Sequence, residues 1–76
     1  MTFYTHYILY PEGDTQEIDR ELRIGQIVDL NGNPLSFPLP STKMIAFRVY
    51  KVSTKEFPGE EARIYYLELV PPAELH

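Results

Sequence analysis

Seven prolines divide the chain into short segments, and the longest of these segments are rich in aromatic and β-branched residues. Proline lacks the N–H group that a β-ladder needs, so it ends strands or protects their edges. No long segment repeats its apolar residues with the period of a helix, whereas several segments alternate apolar and polar residues. This pattern predicts a small, mostly β domain.

Two strands are predicted in the first half of the chain. Thr2–Tyr10 is the first and ends at Pro11. Leu22–Leu30 is the second, with apolar residues at alternate positions, and Gly25 inside it predicts a bulge or a sharp bend. Asn31–Gly32 follows, and because this dipeptide accepts positive φ at both central positions of a type I′ turn, it predicts a hairpin.

The segment 14–21 fits two structures. Asp14 and Glu17 have the spacing of a helix capping box, which favours one short helical turn or a loop. Ile18 and Leu22 lie four residues apart, on one side of such a helix, but they also fit the alternation of a strand. We favour the helical turn or loop here, with the strand as the alternative.

A long two-stranded ribbon is predicted in the second half, formed by Lys43–Thr54 and Ala62–Val70 and joined by a loop tip at Phe57–Glu60. Before it, Leu35–Pro40 reads as a short edge strand or an extended connection, whose prolines discourage pairing with other chains. Alternation assigns six residues to the core face of the ribbon, namely Ile45, Phe47, Val49, Tyr65, Leu67 and Leu69.

A chain of 76 residues has room for one domain and one core. We therefore predict a single domain over residues 1–76, with a loose tail at 73–76. Four or five antiparallel strands in a chain of this length predict a small sheet that curls into a partly open barrel, SH3-like or OB-like in architecture.

Residue types that support catalysis or metal binding are scarce. The chain has no cysteine, which excludes disulfides and thiolate metal sites. Its histidines, His6 and His76, do not have the spacing of a metal site, and the sequence contains no nucleophile elbow, calcium loop or phosphate-binding glycine loop. We expect no catalytic residue, no metal site and no cofactor, and hence a protein that is not an enzyme.

Charge is unevenly distributed along the chain. The formal net charge of −4 disfavours a general nucleic-acid binder. Acidic residues crowd the segment Glu12–Glu21, whereas basic residues occupy Lys43–Lys55. These segments predict either two solvated faces or an electrostatic contact between them, within one chain or between chains.

The cellular location is predicted from the absence of targeting signals in the sequence. Met1–Tyr10 does not have the basic and apolar regions of a signal peptide. No apolar run approaches the ~20 residues that a membrane span needs. We expect a cytoplasmic protein that makes no contact with membranes.

The ribbon face opposite the predicted core carries an unusual amount of apolar surface. Tyrosine and arginine are favoured at the centres of interfaces, and a soluble chain rarely leaves such an area in water. We predict that this face binds a protein partner or a second copy of the chain. The alternatives are burial under a second layer of the barrel and stacking of nucleic-acid bases. The predicted binding residues are Met44, Arg48, Tyr50, Ile64 and Tyr66, with Tyr50 near Tyr66 or Ile64.

Overall fold

The computed structural model describes residues 3–35 and 45–71. Strands contain 58% of this part of the chain, and none of it is helical. One five-stranded mixed sheet curls into a half-barrel, which confirms the predicted small, partly open β barrel. The predicted tail, 73–76, lies outside the described residues. The strands are β1 (Phe3–Leu9), β2 (Thr15–Ile18), β3 (Ile27–Val28), β4 (Phe47–Phe57) and β5 (Glu60–Leu69).

The strand order across the sheet is β2-β1-β5-β4-β3. β1–β2, β3–β4 and β4–β5 are antiparallel, as the sequence predicts. β1 and β5, which are far apart in sequence, pair in parallel at the centre of the sheet. The sheet is therefore mixed, and the parallel pair departs from the predicted antiparallel arrangement. Alternation of side chains is the same in both kinds of pairing, so it does not indicate strand direction.

We call the face that lines the half-barrel the inner face. It carries the main core, because alternate residues of β1, β4 and β5 point there and the chain between β2 and β4 contributes two more apolar residues. Tyr10 packs edge-on against Phe47, with ring centroids 5.6 Å apart, and its hydroxyl donates to the Leu30 carbonyl. The core residues are Ile8, Tyr10, Leu22, Val28, Phe47, Val49, Tyr65 and Leu67.

The segment 14–21 contains a strand, so the favoured helical turn is wrong. A turn at Pro11–Gly13 reverses the chain, and the Tyr10 N–H then donates to the Asp14 carbonyl at 2.8 Å. Thr15–Ile18 is thereby held antiparallel to β1. Ile18 packs against the core, a contact that outweighs the local preference for a cap.

The predicted strand Leu22–Leu30 is reduced to the two residues of β3. Gly25, with φ of +89°, lies in a turn, which agrees with the predicted bend. Because this turn breaks the alternation, Ile24 is 67% exposed and Leu30 is 52% exposed, although alternation places both on the same face as the buried Leu22 and Val28.

The predicted hairpin at Asn31–Gly32 is present, with an antiparallel bridge between Val28 and Pro34. Its turn is not type I′, because Gly32 has φ of +82° whereas no described residue other than glycine has a positive φ. Hydrogen bonds from the Gly32 N–H to the Asp29 carbonyl and from the Asp29 N–H to the Asn33 carbonyl define a three-residue loop. The Asp29 carboxylate also accepts from backbone N–H groups of this loop.

A bulge in β4 changes which side chains face the core. The pairing with β5 shifts register between Val49 and Lys51, so Val49 and Val52 both reach the inner face. Regular alternation would place Val52 on the face opposite Val49, because the two residues are three positions apart. The bulge also turns Lys51 to the side of Tyr66.

Two of the six predicted core residues are exposed. Ile45 precedes β4 and is 53% exposed, and Leu69 at the end of β5 is 59% exposed. Ala46 and Val70 are buried instead and form a small second cluster. Both predictions are wrong because the alternating pattern was applied up to and beyond the strand ends: Ile45 lies before β4 begins, and Leu69 is the last residue of β5.

Candidate interaction surface

The face opposite the inner face is called the outer face below, and it is built from alternate residues of four strands. Cross-strand neighbours share a face. Tyr7 is paired with Ile64, and Glu17 of β2 is paired with Tyr7. On the other side, Ser53 of β4 is paired with Ile64. All five strands lie in one sheet, so no second layer of strands or helices among residues 3–35 and 45–71 covers the outer face.

Aromatic side chains dominate one region of the outer face. The rings of Tyr50 and Tyr66 meet edge to face with centroids 6.2 Å apart, which confirms the predicted proximity. Lys51 Nζ lies 5.0 Å from the centroid of the Tyr66 ring, and the Ser53 hydroxyl donates to the Tyr66 hydroxyl at 3.2 Å. Tyr50 remains 50% exposed, and Phe57 on the same face is 54% exposed.

A groove of about 420 Å³ crosses the same face. Tyr7 and Ile64 line it from the two central strands, and Phe57 lines it from β4. Lys55 and Glu60 add charge to its walls, and the Glu60 carboxylate accepts a hydrogen bond from the Thr5 hydroxyl at 2.7 Å. The groove therefore has an apolar lining with charged side chains beside it.

Charges on the outer face are sorted by strand. Arg48 of β4 pairs with Glu68 of β5 at 3.3 Å. Lys51 and Lys55, also on β4, have no ion-pair partner within the part of the chain that the structure describes, and neither has Glu17 on β2. One border of the face is therefore basic and the other acidic.

Four of the five predicted binding residues lie together on this face. They are Arg48, Tyr50, Ile64 and Tyr66, whereas Met44 lies outside the described residues. Sequence reasoning did not include Tyr7 and Leu9, which the parallel β1–β5 pairing brings beside Ile64 and Tyr66. The apolar residues on both sides of β1 were a signal that this strand lies in the middle of a sheet.

The polar side chains of a cluster at one end of the inner face pair with one another. The Nδ1 atom of His6 lies 3.0 Å from the Tyr65 hydroxyl, and the two rings stack. Arg63 lies over the Tyr4 ring and pairs with Glu21. The Tyr65 hydroxyl, followed by the Glu21 carboxylate, raises the pKa of Arg63. These contacts indicate a structural role for the cluster.

A comparison with protein families gives a match. A family model described as "Uncharacterised Treponema protein" matches residues 2–76. The chain belongs to this family. No curated protein and no solved structure matches it. In the described ranges there is no group of three or more potential metal ligands and no helix with the length and hydropathy of a membrane span.

Proposed function

We propose that the protein is a non-catalytic interaction module that binds a second copy of itself through the outer face of its sheet. The observation that supports this most strongly is the exposure of Tyr50 and Phe57, at 50% and 54%, on a face that also carries Tyr7, Ile64 and Tyr66. Burying apolar area contributes about 25 cal/mol per Å². Tyrosine adds a polar tip that tolerates water when the face is free.

The size of the face sets the expected strength of association. Four strands spaced by ~4.8 Å and roughly seven residues long, at ~3.3 Å per residue, cover about 450 Å² per copy. A dimer would bury roughly 900 Å², below the usual ~1,600 Å² of a stable interface. We therefore expect reversible association, with a Kd in the micromolar range or weaker.

Single-stranded nucleic acid is the alternative ligand. Lys51 over the ring of Tyr66 supports it, because a cation beside an aromatic ring suits base stacking. Against it, Arg63 is paired with Glu21 on the inner face, and Glu17 and Glu60 share the outer face. These carboxylates repel phosphate, so the protein–protein interface is better supported.

Sedimentation equilibrium from micromolar to millimolar concentration tests the proposal. The wild-type mass should rise with concentration, and Tyr50→Ala and Tyr66→Ala should each shift the rise to higher concentration. Ile24→Ala is the matched control, because Ile24 is 67% exposed but lies in a turn outside this face. Circular dichroism checks that each variant is folded.

Two results would contradict self-association. One is a folded wild-type protein that stays monomeric throughout this range. The other is binding of a mixed single-stranded oligonucleotide, followed by fluorescence anisotropy, that falls steeply with salt and is weakened by both tyrosine substitutions. The second result would make nucleic acid the better assignment.

A further inference from the structure

Three outer-face charges that have no ion-pair partner among the described residues, Lys51, Lys55 and Glu17, lie on opposite borders and do not meet within one chain. Lys51 and Lys55 lie on β4, and Glu17 lies on β2. β1 and β5 separate these strands, so the borders are three strand spacings apart, or roughly 14 Å. These three residues therefore do not make an electrostatic contact between the acidic and basic segments within one chain, which was one of the two alternatives from the sequence. A contact between chains remains available to them.

The register of the sheet relates the two borders to each other. One row across the sheet contains Glu17, Tyr7, Ile64 and Ser53. Lys51 and Lys55 lie two residues from Ser53 along β4, in opposite directions. At ~3.3 Å per residue, each is about 6.6 Å from the Glu17 row.

Two sheets that pack face to face with aligned strands have two simple two-fold arrangements. An axis perpendicular to the strands places β4 over the partner's β4 and reverses the rows, so Lys51 lies over the partner's Lys55. A two-fold axis parallel to the strands places β4 over the partner's β2 and leaves the order of the rows unchanged. It places the partner's Glu17 over Ser53, between Lys51 and Lys55.

We infer that the second copy packs on the outer face about a two-fold axis parallel to β1 and β5, so that Glu17 of each copy contacts Lys51 and Lys55 of the other. This inference rests on the proposed function and specifies the orientation of the partner. Electrostatic complementarity selects orientation because opposed like charges are unfavourable. Tyr7 and Ile64 of both copies then lie near the axis, which gives an apolar centre with charges at the rim.

Charge reversal tests this orientation. Glu17→Lys alone and the double variant Lys51→Glu/Lys55→Glu alone each place like charges at both symmetric contacts. Each should weaken dimerisation about tenfold, because an exposed pair contributes a few-fold and every dimer contains two contacts. An equimolar mixture of the two variants should form a heterodimer with attractive pairs at both contacts. Its affinity should approach that of the wild type, and the recovery should shrink as salt is added.

The control for net charge is Glu12→Lys, which makes the same charge change in the Pro11–Gly13 turn and should leave dimerisation within about twofold of the wild type, since it lies away from the contact. A mixture that associates no more than its components would overturn the orientation while a wild-type dimer still supported the proposed function. Tighter association of Lys51→Glu alone would also overturn it, since this result indicates the perpendicular axis. A monomeric wild type would overturn both proposals.

Discussion

Tyr65 and Tyr66 are adjacent in β5 and have opposite environments. Tyr65 faces the inside of the half-barrel, is fully buried and has its hydroxyl beside His6. Tyr66 faces outward, is half-buried and contacts Tyr50 and Lys51. The two side chains are identical, so the difference comes from what covers each face. The chain between β2 and β4 contributes Leu22 and Val28 to the inner face, whereas no second layer of strands among the described residues covers the outer face.

The largest expected effect comes from truncating a buried residue on the inner face and comparing it with a residue on the outer face. Ile8→Ala should lower the free energy of unfolding by about 2–5 kcal/mol, because Ile8 is fully buried. Ile64→Ala on the outer face should cost about 1 kcal/mol and mainly weaken self-association. Urea denaturation measures both. Ile8→Val, with an expected loss of about 0.5–1.5 kcal/mol, covers the case in which the alanine variant does not fold. Equal losses at the two positions would contradict the assignment of the faces.

A second comparison tests how tightly the inner face is packed. A Cβ on Gly32 would lie 3.1 Å from Ile8 Cδ1 and 3.2 Å from Ile18 Cγ2, whereas one on Gly59 would meet open space. Both glycines have positive φ, so either alanine variant carries backbone strain of about 1 kcal/mol. Gly32→Ala should cost at least about 1 kcal/mol more, and Gly32→Val more again. If thermal melting shows the same loss for Gly32→Ala and Gly59→Ala, the inner face is looser than the structure indicates.

Removing the hydroxyl group of Tyr65 or of Tyr66 gives a finer comparison of the two faces. Tyr65 is fully buried, and Tyr65→Phe leaves the half-buried His6 ring without its 3.0 Å partner, so we expect a loss of about 1 kcal/mol. Tyr66 is only half-buried, and Tyr66→Phe removes its longer, 3.2 Å hydrogen bond with Ser53, so the expected loss is below about 0.5 kcal/mol. Chemical denaturation under identical conditions compares the two variants. A larger loss for Tyr66→Phe would reverse the ranking of the faces.

The smallest expected effect is a pH dependence on the inner side. Burial, followed by the charges of Asp29 and Glu12, raises the pKa of Tyr10 above its ordinary value of 10.0. The unfolded chain therefore loses this proton at a lower pH than the folded chain, so stability falls as pH rises from about 10 through the folded value. Tyr10→Phe should show a shallower decline in melting temperature above pH 10. An unchanged slope would mean that the tyrosine ionises equally easily in both states.

Much of the ribbon and its predicted surface follows from local sequence. The alternating pattern identified β4 and β5 to within a few residues. It also predicted that Arg48, Tyr50, Ile64 and Tyr66 share one face, as they do in the structure. Pro58–Gly59 formed the turn between the strands. These features depend on neighbours a few positions apart, and such neighbours are visible in the sequence.

The tertiary structure alone decided three features. Parallel pairing of β1 and β5 joins residues far apart in sequence, and the alternation in each strand is the same for either direction. The bulge between Val49 and Lys51 depends on the partner strand and shifts every later side chain to the other face. Finally, β1, β4 and β5 have apolar residues on both sides. Which side became the core was decided by where the rest of the chain could pack, because burial is non-directional and favours whichever face is covered.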